Sequence, residues 1–324
     1  MAKAIRVHGY GGPEVLRHED VTIGEPGPGE VRIRQRAVGV NYIDVYHRTG
    51  LYPQPAMPFT PGSEGAGEVV AVGEGVTELR PGDRVAYAMG IGAYAEERLI
   101  AAKSLVKLPA GISDETAAAM MLKGTTAAYL LRRTYHVRAG DTILFHAAAG
   151  GVGLIACQWA KHLGATVIGT VGSEDKARLA REHGCDHVIL YRTEDFPARV
   201  REITGGRMCE VVYDGVGKAT FPASLDCLKP FGLFASFGSA SGPISAFDIG
   251  VLAGKGSLYA TRPTLATHVA TREGLEALAG ELFAAVASGA VKIPIHKRAP
   301  LAQAADVHRA LEGRETTGAT VLIP

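Results

Sequence analysis

Four cysteines, at positions 157, 185, 209 and 227, are all that the 324 residues of this chain contain. They are too scattered for a disulfide framework and lack the close pairing that a metal centre needs. Cys157 falls within an apolar helical run and reads as a small buried residue. An excess of one charge is also missing. Against 34 basic residues stand 33 acidic ones, a formal net charge of +1, which leaves no basic footprint for nucleic acid or an anionic membrane. No apolar run approaches the ~18 residues of a membrane span. The start, Met1-Ala-Lys-Ala-Ile-Arg6, has no apolar secretion-signal core. Internal repeats and low-complexity segments are absent too. These absences point to a cytoplasmic globular protein. Its 47% hydrophobic content suffices to bury a core in each of two domains.

What is present divides along the chain. Residues 1–122 carry short β patterns broken by Gly and Pro, such as the strict alternation of Glu30-Val-Arg-Ile-Arg-Gln-Arg36, Gly67–Val72, and Arg84–Tyr87 after the Pro81-Gly-Asp turn. They predict a compact, mostly β barrel. A long helical pattern starts near Ser113 and is expected to break at Lys123-Gly124. Residues 124–262 then alternate strand and helix, with strands at 142–146, 166–171, 186–190, 210–214, 232–237 and 257–261. Six strands with intervening helices fit an α/β, doubly wound parallel sheet. Beyond Pro263 a helix over 271–287, a strand at 291–295, a helix near 301–312 and a strand at 319–323 are expected to return to the first domain. The division is thus 1–123 with 263–324, and 124–262.

Thr142-Ile-Leu-Phe-His146 followed by Ala-Ala-Ala-Gly150-Gly-Val-Gly153 and an apolar helix is the most informative stretch. Gly150, Gly151, Val152 and Gly153 make a turn from which side chains are largely withdrawn. There a pyrophosphate meets backbone N–H groups at a helix N-terminus. The competing reading is a purely structural strand–turn–helix. An NAD site holds the ribose with an acidic residue about 20 positions on. Here the next strand ends Gly169-Thr-Val-Gly172-Ser173 without one. Ser173 instead caps a helix carrying Lys176, with Arg178 two residues beyond. That set favours a 2′-phosphate and hence NADPH, although Lys176 also reads as a solvated surface lysine. Ligands sit outside the carboxyl ends of parallel strands, which places Phe237, Gly238, Ser239 and Arg262 on the nicotinamide side and Tyr191 near the adenosine. His146 reads as a packed strand-end residue.

The order of barrel, dinucleotide fold and returning tail, with Gly62-Ser-Glu64-Gly-Ala-Gly67, Pro81-Gly-Asp83-Arg-Val85 and the turn at 147–153, resembles the medium-chain dehydrogenase/reductase superfamily. Gly39-Val-Asn41-Tyr-Ile-Asp44-Val-Tyr46, Arg48-Thr-Gly-Leu-Tyr52-Pro53 and Leu122-Lys-Gly-Thr-Thr126 are similar to its zinc-independent quinone oxidoreductase, zeta-crystallin-like branch. The resemblance implies a β-rich GroES-like barrel domain beside the dinucleotide-binding sheet. Where the superfamily's alcohol dehydrogenases place zinc ligands, Asn41 and Ser63 stand here, so no metal is expected. The implied activity is NADPH-dependent reduction of quinones in a metal-free cleft between two domains. Quinones accept electrons without the polarisation that zinc provides.

By resemblance and chemistry, Asn41, Asp44, Tyr46 and Tyr52 would meet the acceptor. Helix capping is the competing role for the first two, and core packing for the tyrosines. Lys123, Thr126, Tyr129 and Arg314 would face the cofactor by resemblance alone, which also implies a homodimer joined near Gly256–Ala260. Reduction of α,β-unsaturated aldehydes or ketones is the neighbouring alternative. A non-catalytic NADPH-binding structural or RNA-binding protein is the alternative of another class.

Overall fold

A computed structural model of the protein describes residues 1–313 and 315–324. The chain packs as two compact units, each discontinuous in sequence. One comprises Met1–Thr125, Val269–Phe283 and Ile293–Pro324; the other comprises Thr126–His268 and Ala284–Lys292.

The first unit is built on strand Glu30–Gly39, whose inward residues Val31 and Ile33 are fully buried. It pairs antiparallel along one edge with Glu64–Val72. Its other edge is shared, the first half pairing with Glu97–Ala101 and the last residues with Ala319–Ile323. Arg84–Ala88 and Val106–Lys107 extend the sheet on one side, and Ile295–Pro300 closes the other. Their apolar side chains, among them Val69, Val85, Tyr87 and Ile100, fill one core. Helix Tyr42–Thr49 follows Glu30–Gly39 after two residues. Asn41 is its N-cap, Asp44 completes a capping box, and Gly50 ends it at φ 81°.

Two expectations fail here for physical reasons. The strand expected at 291–295 begins only at Ile295 and runs to Pro300. Pro294 has no N–H to give a ladder, and the Val291 N–H is taken by the Ala285 carbonyl. The helix expected to break at Lys123-Gly124 instead runs unbroken from Asp114 to Tyr129. A methyl group at Gly124 would lie 2.5 Å from Leu282 Cδ1, so the glycine admits a close neighbour. That packing outweighs its helix cost of ~1 kcal/mol.

The second unit holds six parallel strands in the order His187–Leu190, Thr166–Val171, Thr142–His146, Cys209–Asp214, Leu228–Ser236 and Tyr259–Thr261. Number, direction and approximate bounds match the expectation. Strands covered on both faces need apolar side chains on both, and Ile143, Leu144, Val211 and Val212 are all fully buried. Strand order reverses between Thr142–His146 and Cys209–Asp214, the place where doubly wound sheets bind ligands.

Candidate functional site

Strand Thr142–His146 leads into a turn where Ala147 takes φ 55° and the helix Gly151–His162 begins. Gly150 is the N-cap, so no side chain covers the helix end. Its first-turn N–H groups and positive dipole end are left for an anion. A methyl group at Gly153 would sit 2.5 Å from the Ala147 carbonyl oxygen and 2.6 Å from that of Ala148. Glycine alone lets the helix close on the turn. Ala148, where such turns usually have their first glycine, is accommodated by Gly169 on the neighbouring strand, whose added methyl would lie 2.6 Å from the Ala148 Cβ. This bare cradle fits a dinucleotide pyrophosphate.

The neighbouring strand ends at Gly172 and Ser173. Ser173 caps helix Glu174–Glu182, its hydroxyl accepting from the Lys176 N–H. Lys176 is half-buried in the first turn. Arg178 is exposed, and its guanidinium lies 2.9 Å from Asp175. The Tyr191 hydroxyl lies 2.7 Å from where a Gly172 side chain would begin, with Arg192 Nε at 3.4 Å. Arg192 stands just past His187–Leu190, not on the helix that carries Lys176 and Arg178.

Other carboxyl strand ends converge on backbone contacts. The Phe237 N–H donates to the Asp214 carbonyl at 2.8 Å, and a methyl at Gly238 would strike the Gly215 oxygen at 2.5 Å. The Ser239 carbonyl accepts from Gly242. Arg262 is exposed beyond the last strand and donates to the Pro263 carbonyl. Thr126 and Tyr129 are buried, Tyr129 stacking on His268 at 4.5 Å and 11°. His146 is buried between the Thr170 and Ser224 hydroxyls. Arg314 lies outside the described residues.

The first unit contains a buried polar cluster around Asp44. This carboxyl group accepts from the Asn41 N–H at 2.9 Å, the Ser63 hydroxyl at 3.2 Å and the Tyr94 hydroxyl at 3.0 Å. Burial pushes its pKa up to about 7 against the pull of these donors and the Lys123 charge. Asn41 therefore caps its helix, and its amide also donates to Glu64 Oε2 at 2.7 Å. Glu64 is fully buried and takes the Lys123 ammonium at 2.7 Å and the Leu122 N–H at 2.8 Å as well. The Lys123 charge thus compensates a carboxylate that would otherwise be costly to bury. Among the described residues, no three His, Cys, Asp or Glu side chains gather as a metal-holding group.

Tyr46 and Tyr52 pack edge to face at 5.2 Å, with Tyr42 5.5 Å from Tyr46. Tyr52 is partly exposed, so the tyrosines form an aromatic surface around the helix rather than core. Tyr94 and His308, which complete the Asp44 cluster, escaped the sequence reading. Only the fold brings positions 44, 94 and 308 together.

Residues 27–110 match the alcohol dehydrogenase GroES-like domain and residues 151–271 the zinc-binding dehydrogenase family. The chain is 57% identical to a quinone oxidoreductase of Pseudomonas aeruginosa, over the whole of both chains. It is 47% identical to a 2-haloacrylate reductase of a Burkholderia species, over all of this chain and 99% of the other. The crystal structure of the Escherichia coli quinone oxidoreductase complexed with NADPH superposes with a TM-score of 0.98 at 49% identity, covering both chains completely. On fold, motif order and whole-length identity, this chain belongs to the quinone oxidoreductase family of the medium-chain dehydrogenase/reductase superfamily.

Proposed function

We propose that the protein reduces quinones with NADPH. The observation that carries this is the bare glycine cradle followed by a strand ending in Gly172-Ser173 with Lys176, in place of an acidic ribose anchor. When bound, NADPH supplies the hydride. Gly150, Gly151 and Val152 would hold its pyrophosphate on the helix end, while Ser173, Lys176, Tyr191 and Arg192 would hold the 2′-phosphate. Gly172 keeps the approach open. Phe237, Gly238, Ser239, Arg262, Thr126 and Tyr129 would line the nicotinamide side, with Lys123 as a further contact.

Tyr46 and Tyr52 would offer flat apolar area to an aromatic acceptor, and Asn41 a donor. Asp44, whose pKa is pushed up to about 7 by burial, would supply the proton through Ser63. No metal is needed in this scheme, because the zinc-ligand positions hold Asn41 and Ser63 and the adjacent Glu64 is already bound by Lys123.

The kinship with a 2-haloacrylate reductase supports a second reading, hydride addition to an activated alkene. Comparing kcat/KM for 1,4-benzoquinone, 9,10-phenanthrenequinone and 2-alkenals, all with NADPH, tests the two. Preference for quinones is expected, and preference for alkenals would overturn the assignment.

We further propose a cytoplasmic homodimer. Tyr259–Thr261 is the last strand of the six, with one unpaired edge, and Tyr259 and Phe231 are exposed beside a concavity of about 780 Å³. A monomer mass in solution would refute the dimer.

A further inference from the structure

A buried chain of side chains leads to Asp44, and its polarity is fixed from the far end. The Arg48 guanidinium, 1% exposed, has donors only. At 3.1 Å its Nη1 therefore makes His308 Nδ1 an acceptor. The proton of the neutral imidazole must then sit on Nε2, which faces the Tyr94 hydroxyl at 3.0 Å. With its oxygen accepting from His308, Tyr94 turns its own proton to Asp44 Oδ2, 3.0 Å away. Burial and the Arg48 charge hold the His308 pKa down to about 3, so the imidazole stays neutral near neutral pH. Glu312 grips Arg48 with both oxygens, at 2.8 and 2.9 Å, and the Gly11 carbonyl accepts from Nε at 3.0 Å. The outer end cannot swing.

We propose that Arg48, His308 and Tyr94 are positioning residues that act through Asp44. The locked imidazole tautomer aims the Tyr94 proton at the carboxyl group and so governs when Asp44 can hand a proton to Ser63. This rests on the reductase reading above. Reduction of a quinone by NADPH takes up one hydride and one proton and yields the hydroquinone and NADP⁺. Asp44 gives that proton and regains one from water. Lys123 and two tyrosines also face Asp44. Lys123 favours the carboxylate but is bound to Glu64, and burial keeps the Tyr87 and Tyr94 hydroxyls protonated.

The test uses the full-length protein and the variants Tyr94→Phe and His308→Gln. Asp44 protonation is read by infrared carboxyl titration without cofactor, the band being assigned by its loss in Asp44→Asn. The pH profile of kcat/KM with NADPH and 1,4-benzoquinone is read alongside. Tyr94→Phe removes a donor to the charged form and should move the titration, and the falling limb of the profile, about one to two pH units higher. His308→Gln keeps an acceptor for Arg48 and a donor for Tyr94, so it should leave both in place. An unmoved titration in Tyr94→Phe overturns the proposal, as does a shift of equal size in His308→Gln. A shifted titration in a protein without NADPH turnover overturns the reductase reading instead.

Discussion

Replacing Asp44 by Asn should reverse the order of stability of variant and parent between acid and mildly alkaline pH. Burial raises the Asp44 pKa from 3.8 to about 7. Between those values the folded protein keeps a proton that the unfolded chain has lost. The associated stability is complete below the unfolded pKa and disappears as pH rises through the folded one. At about 1.36 kcal/mol per pH unit, the gap is worth about 4 kcal/mol. His308 works in the opposite direction. Its pKa falls from 6.5 to about 3, so its contribution is present above the unfolded pKa and is lost as pH falls through that window. The two nearly cancel in the parent from pH ~4 to ~6.5.

The introduced carboxamide cannot titrate, and its NH2 meets either the Asn41 and Tyr94 donors or Ser63, whose hydroxyl must then turn from donor to acceptor. That conflict costs about 1–3 kcal/mol at every pH. Asp44→Asn should therefore be the less stable protein near pH ~4 and the more stable one near pH ~8, with denaturant midpoints crossing between. A difference that stays constant across that range would refute the account of this carboxyl group.

Gly153→Ala places a methyl 2.5 Å from a backbone oxygen. It should cost about 1–3 kcal/mol in denaturant unfolding and weaken NADPH binding about tenfold or more, measured by fluorescence titration. Lys123→Met leaves buried Glu64 without its cation and should lower stability by about 3–5 kcal/mol, with most of it recovered when Glu64→Gln is added. Lys176→Ala removes a charged donor worth about 1.5–3 kcal/mol. It should raise the KM for NADPH about 10- to 100-fold while sparing NADH, in steady-state assays with either nucleotide.

The parallel sheet was legible because strands buried on both faces leave runs such as Thr142-Ile-Leu-Phe-His146, each punctuated by a turn. Helix Tyr42–Thr49 was legible from its Asn41 cap. Strand Ile295–Pro300 was not, since His296, Lys297 and Arg298 are exposed and give it no apolar signature; only its pairing with Ala319–Ile323 makes it a strand. Gly124 misled for a related reason. The residue that requires it, Leu282, is on a helix remote in sequence.

The site divides the same way. Ser173 capping the Lys176 helix is a local pattern and could be read directly. The pairing of Arg178 with its neighbour Asp175 was not legible there. The brace from Arg48 through His308 and Tyr94 to Asp44 joins residues from distant segments, and no spacing rule encodes it.

The central claim, electrons passing from NADPH to a quinone without a metal, is tested most directly by following NADPH consumption on chelator-treated protein with 9,10-phenanthrenequinone. Saturable turnover, unaffected by chelator and much weaker with NADH, is expected. Turnover that requires added zinc, or none with any quinone offered, would contradict it.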